Sequence, residues 1–197
     1  MPYLPGFQSD VFISYSHIDD QPFGEEQKRW VSEFHKNLEI RIKILLGRGV
    51  DVWRDPKLRG VDVFSSEIER KLSDSAVLVS ILSPAYVQSE WCSKELETFV
   101  QAVEQRRPTS GGDRFRIVKV LKTPVPLQRQ ATLLRSVLGY EFYGIDPNTA
   151  RIREFFLDPS PEARSSYWRT LDDVAQDIAN LFSYLTTDRK PDASRAR

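Results

Sequence analysis

A single cysteine, Cys92, occurs among the 197 residues, so no intramolecular disulfide can form and the fold has to rest on its core. Soft metal ligands are just as scarce: His17, His35 and Cys92 are too few for a zinc site. No run approaches the ~20 apolar residues that a membrane-spanning helix needs, and no membrane association is expected. The 28 basic residues balance 28 acidic ones, which removes any general attraction to nucleic acid. The opening Met1-Pro2-Tyr3-Leu4-Pro5-Gly6 is too short and proline-rich for a signal core. With the lone cysteine, it leads to the expectation of a cytoplasmic domain. The phosphate-cradling Gly-x-Gly-x-x-Gly is also missing, which argues against a Rossmann dehydrogenase.

What is present fits one domain with a full hydrophobic core. Asp10 to Tyr15 reads as a first strand, followed by a polar loop from Ser16 to Glu26. Trp30, Phe34, Leu38, Ile42 and Leu45 recur at helical spacing. Ile40, Ile42 and Ile44 also alternate like a strand, but the longer period favours a helix, stopped by Gly47 and Gly49. Val50 to Arg54 is a short strand and Asp55 to Val61 a loop. Phe64, Ile68 and Leu72 give another helical stripe. Ala76 to Leu82 is almost continuously apolar, as a central parallel strand covered on both faces should be.

A helix from Trp91 to about Glu104, a turn over Pro108 to Asp113 and a strand over Phe115 to Leu121 come next. A shorter helix fits Gln128 to Leu138, Tyr140 to Tyr143 suits a fifth strand, and Leu171, Val174, Ile178, Leu181 and Leu185 mark a last helix. The expected division is a lead-in over 1–9, a domain over 10–186, and a disordered tail or linker over 187–197. Alternating strands and helices predict a parallel sheet with helices on both faces. Ligands of such sheets bind beyond the carboxyl ends of the strands, near a switch in strand order.

In the helix that starts near Trp91, the core stripe is Cys92, Leu96, Phe99, Val100 and Val103, at ~100° per residue. Glu95 lies roughly 85° and Trp91 roughly 125° from the middle of that stripe, outside the expected core. Spaced i and i+4, the two side chains are neighbours. An aromatic beside a carboxylate at a ligand-binding edge could hold a flat ring and a developing positive charge. A capped surface helix accounts for the same residues, with Ser89 as N-cap, Glu90 on the helix dipole and Trp91 over a nearby loop. Trp30 belongs to a core stripe, and Trp53 and Trp168 read as packing residues. His17 and His35, with no evident partner, default to solvent.

Four segments occur in order: Asp10-Val11-Phe12-Ile13-Ser14-Tyr15-Ser16, Asp55-Pro56-Lys57-Leu58-Arg59-Gly60, Leu82-Ser83-Pro84-Ala85-Tyr86 and Ser89-Glu90-Trp91-Cys92-Ser93-Lys94-Glu95-Leu96. Together they resemble the successive boxes of a TIR (Toll/interleukin-1 receptor homology) domain, in a form most similar to bacterial and plant members. The resemblance is clear from about Asp10 to Val103 and looser beyond.

It implies a flavodoxin-like, doubly wound α/β fold with a five-stranded parallel sheet in the order 2-1-3-4-5. It also implies that some members cleave NAD at the nicotinamide–ribose bond, using a glutamate that matches Glu95 in a pocket shared with the tryptophan matching Trp91. Others only assemble with partners. NAD would then be a substrate and not a recycled cofactor, and homo-oligomers through TIR–TIR contacts would be expected. A scaffold signalling by assembly through the Asp55 to Val61 loop is the rival reading.

Ser14, Tyr15 and Ser16 at the end of the first strand could bond ribose or phosphate, although Ser14 and Ser16 could simply cap their loop. Arg59 could meet pyrophosphate, with Gly60 permitting a mobile lid, or be a solvated surface charge. Asp55 could equally cap its own loop.

Overall fold

A computed structural model describes residues 1–22, 28–54, 66–106 and 116–188. Five parallel strands, β1 (Ser9–Ser14), β2 (Val52–Arg54), β3 (Ser75–Leu82), β4 (Ile117–Leu121) and β5 (Gly139–Glu141), form one sheet in the order β2-β1-β3-β4-β5. This is the order expected from the resemblance. The direction of winding switches between β1 and β3, which pair in parallel with Ser14 beside Ser80. All eight residues of β3 are buried, as its unbroken apolar run requires of a strand covered on both faces.

Helices α1 (Trp30–Leu46) and α5 (Pro161–Asp188) pack together on one face. There Phe34, Leu38 and Ile42 meet Val174, Ile178 and the strand residues Val11, Ile13 and Val79. The other face carries α2 (Ser66–Ser73), α3 (Glu90–Gln105) and the one-turn α4 (Thr132–Arg135). Leu72, Leu96 and Phe99 cover Phe12, Leu78 and Leu82 there. Helix α1 settles the alternating isoleucines: Ile42 is inward, while Ile40 and Ile44 are 47% and 64% exposed. Gly47 ends it in the left-handed region (φ 68°), its N–H donating to the Lys43 carbonyl at 2.9 Å.

Several expectations change. Residues 1–9 pack onto the domain, with Leu4 and Phe7 buried. The Asp10 carboxylate accepts backbone N–H bonds from Tyr3, Leu4 and Asp51 at 2.6, 2.8 and 2.8 Å, tying this segment to the start of β2. Helix α5 extends through Asp188, past the expected boundary at 186. The helix expected over Gln128–Leu138 is a 3₁₀ turn (Leu127–Arg129) followed by α4, because Gln130 and Ala131 are extended between them.

An antiparallel hairpin, β6 (Tyr143–Ile145) and β7 (Ile152–Glu154), lies where a loop was expected. Trp168 is half exposed on α5, whereas Trp53 packs on Phe12. Asp55, Arg59, Gly60, Phe64, Phe115 and the Pro108–Asp113 turn lie outside the described residues.

Candidate active site

Ser89 caps α3, its side chain accepting the Cys92 N–H at 3.2 Å, so this part of the surface-helix reading holds. Glu90 likewise stands in its first turn, but a surface position for Glu95 fails, because Glu95 is only 3% exposed. The helical wheel placed it outside the core by assuming that α3 meets the protein on one side. Its first turns instead lie over the carboxyl end of β1 and beside the 3₁₀ turn Tyr86–Gln88, so Glu95 is enclosed from a second direction.

A buried carboxylate needs donors. The Ser14 hydroxyl donates to Glu95 Oε2 at 2.5 Å, and the Trp91 indole N–H donates to Oε1 at 3.1 Å. Trp91, half-buried, therefore meets Glu95 as the i, i+4 spacing requires. The phenolic oxygen of Tyr86 lies 3.3 Å from Ser14 Oγ. Burial raises the Tyr86 phenol well above its ordinary range, and burial also pushes the neighbouring Cys92 thiol up to about 12. Both therefore stay protonated near neutral pH.

The residues at the end of β1 and just after it go different ways. Ser14 is 1% exposed and turned toward Glu95, while Tyr15 joins the core on the opposite face of the sheet. The Tyr15 hydroxyl accepts from the Arg54 guanidinium at 3.0 Å. Ser16 is partly exposed; its carbonyl accepts the Asp19 N–H at 2.8 Å, and its side chain makes no capping bond. Ser14 and Trp91 are thus brought onto Glu95, Tyr15 is not, and Arg59 and Gly60 lie outside the described residues.

Two polar clusters flank the site. Arg54, at the end of β2, donates to Asp20 at 3.0 Å, Ser32 at 2.8 Å and His35 Nδ1 at 3.1 Å. His35 Nδ1 is therefore an acceptor, leaving the Nε2–H to donate to the Val52 carbonyl at 3.0 Å. Burial and then the Arg54 charge hold His35 below its ordinary value. The expectation of solvent for both histidines fails, since His35 is bound in this cluster and His17 stacks on Tyr15 with ring centroids 5.2 Å apart.

In the second cluster Ser83 donates to Asp19 at 2.5 Å, and Lys122 bridges Asp19 at 3.7 Å and Glu154 at 3.1 Å. Burial raises Asp19, opposed by Ser83 and Lys122. Sequence reasoning gave no role to Tyr86, Asp19 or Lys122. Tyr86 stood inside a quoted box, but it lies outside any regular helix or strand, where periodicity carries no signal. Among the described residues no group of three His, Cys, Asp or Glu is placed to hold a metal ion, and no helix is long and apolar enough to cross a membrane.

The carboxylate thus stands at the carboxyl end of β1, beside the switch between β1 and β3 where ligands of such sheets bind. The chain is similar to disease resistance protein RPP2B of Arabidopsis thaliana, at 30% identity over 92 residues, which make up 47% of this chain and 6% of RPP2B. It spans only a small part of that relative. Among solved structures it is similar to the TIR domain of the Toll-related receptor TRR-2 from Hydra magnipapillata (TM-score 0.47, 15% identity, 86% of this chain and 98% of that one). It is also similar to the TIR domains of the activated Roq1 resistosome, which directly recognises the pathogen effector XopQ (TM-score 0.39, 19% identity, 91% and 98%). The TIR domain family matches residues 11–142, the stretch that holds Ser14, Tyr86, Trp91 and Glu95. The chain belongs to the TIR domain family.

Proposed function

We propose that this TIR domain is an NAD glycohydrolase of immune or antiphage defence signalling, acting in the cytoplasm and activated by self-assembly, with Glu95 as its catalytic carboxylate. The observation that carries this reading is the buried Glu95 with one donor fixed on each oxygen. A surface-helix glutamate needs no such cradle. NAD is the substrate, and no recycled cofactor takes part. Breaking its nicotinamide–ribose bond leaves a sugar with oxocarbenium character, as in glycoside cleavage. A preorganised carboxylate beside the anomeric carbon, or gripping the ribose hydroxyls, stabilises that charge.

Nicotinamide leaves neutral, so no strong general acid is required and one carboxylate suffices. Attack by water gives ADP-ribose, and attack by an adenine nitrogen or a hydroxyl of the same molecule gives a cyclic product. Trp91, with its ring beside the carboxylate, would border the nicotinamide. Ser16 and, from the sequence, Arg59 and Gly60 would meet ribose and pyrophosphate.

At 3% exposure Glu95 admits substrate only after its surroundings shift. Activation by TIR–TIR contacts would supply that shift. The test is nicotinamide release from NAD by the protein, concentrated or held on a crowding surface, beside Glu95→Ala. Release that the variant lacks supports the reading. No release under any assembly condition leaves a scaffold that signals by assembly alone, and release unchanged in the variant removes Glu95 from the chemistry.

A further inference from the structure

We propose that Tyr86 is a positioning residue for Glu95 that acts through Ser14, an inference resting on the reading of Glu95 as the reacting carboxylate. Tyr86 is 4% exposed. Its N–H donates to Ser83 Oγ at 3.0 Å, and its carbonyl accepts the Ser89 N–H at 3.1 Å, the residue that caps α3. Ser83 is in turn bonded to Asp19 at 2.5 Å. The Tyr86 backbone is therefore tied into a frame built from the segments after β1 and β3 and the start of α3.

Counting hydrogens sets the direction of the contact. A serine hydroxyl has one proton, and with Glu95 ionised the 2.5 Å contact to Oε2 takes it. With that proton committed to Glu95, the 3.3 Å contact between Ser14 Oγ and the Tyr86 oxygen is a hydrogen bond only if the phenol supplies the hydrogen, Ser80 being its other neighbour. Burial keeps that phenol protonated, so it donates across the working pH range. The chain runs Tyr86 to Ser14 to Glu95, each bond polarising the next.

It fixes the Ser14 rotor and aims Oε2, while Trp91 holds Oε1. At 3.3 Å the Tyr86 bond is longer than a typical O–H···O bond, so its loss should cost less than losing a direct partner of Glu95. Among the described residues, β1 offers Ser14, β3 offers Ser80 beside it, the turn offers Tyr86, and α3 itself offers Trp91 and Cys92. Of these only Tyr86 and Cys92 titrate, both raised by burial, with Asp19 one residue further through Ser83.

The experiment combines Tyr86→Phe and Ser14→Ala, singly and together, with two readouts. The Glu95 carboxyl is titrated by NMR in protein labelled with carbon-13 glutamate, its signal identified by loss in Glu95→Gln, and nicotinamide release is measured under assembly conditions. Tyr86→Phe should move the Glu95 titration midpoint up by about half a pH unit and lower kcat about 3- to 10-fold, with KM within about twofold. In the Ser14→Ala background the same substitution should change neither.

A midpoint and kcat equal to wild type, or the same change with Ser14 absent, overturns the proposal. A midpoint that moves in protein releasing no nicotinamide upholds the coupling and removes the NAD reading instead. Thermal melts of each variant verify folding, and Ser14→Ala interrupts the chain at its second link if Tyr86→Phe unfolds the turn.

Discussion

Ser14 and Trp91 each give one hydrogen to Glu95, on different oxygens, and bonds to a charged acceptor contribute about 1.5–3 kcal/mol each. Trp91→Phe keeps a ring in place and removes only the donor to Oε1. It should lower kcat by about 10-fold or more and leave the melting temperature within a few degrees, which steady-state kinetics and thermal melts would check. His35 offers a second residue-level test, because its folded-state value is lowered by burial and Arg54. Such a group contributes stability that is present above its unfolded pKa of ~6.5 and lost as pH falls through the lower folded value. Between about pH 7.5 and 5 the wild type should therefore lose more melting temperature than His35→Gln, by a few degrees. Equal losses would show that His35 titrates as it does in the unfolded chain. That behaviour was not legible in sequence, because Arg54 lies 19 residues from His35 and β2 brings the two together.

Among the elements, β4 and β5 meet with little clearance. A Cβ added at Gly139 would stand 2.8 Å from Lys119 Cε and 2.9 Å from Leu121 Cδ1. Lys119 cannot withdraw easily: it is 4% exposed, and its amine is fixed on the Leu134 carbonyl at 2.8 Å, burial lowering its pKa. Gly139→Ala should accordingly cost about 1–3 kcal/mol through overpacking, seen as a lower midpoint in denaturant; an unchanged midpoint would mean that β5 shifts freely. The regular elements were largely readable, because β3 and the stripes of α1, α3 and α5 follow the periods of strand and helix. What failed lies where those periods break down. Extended backbone at Gln130 and Ala131 divides the expected helix, and β6 and β7 are three-residue strands too short for alternation to register. Glu95 was singled out through the motif around it, whereas its burial depends on what lies above the end of β1, which a single helix cannot report.

At the scale of the whole molecule, zero net charge and a doubly wound sheet are shared by many binding proteins and enzymes, and one fold hosts both roles. The family match places this chain among TIR domains; the proposed activity would rest on the site and on how copies meet. If assembly opens the Glu95 pocket, release of nicotinamide per molecule should rise with protein concentration, in step with the oligomer seen by light scattering. A flat profile would mean that a single copy completes its own site. The central claim is that the Glu95 carboxylate carries the chemistry, and the isosteric Glu95→Gln tests it most directly. Nicotinamide release is followed for both proteins at the concentration where the wild type is assembled, with melting temperature and oligomer size compared beside it. The account predicts a fall on the order of 100-fold or more in a variant that still folds and assembles. Release within a fewfold of wild type would contradict it.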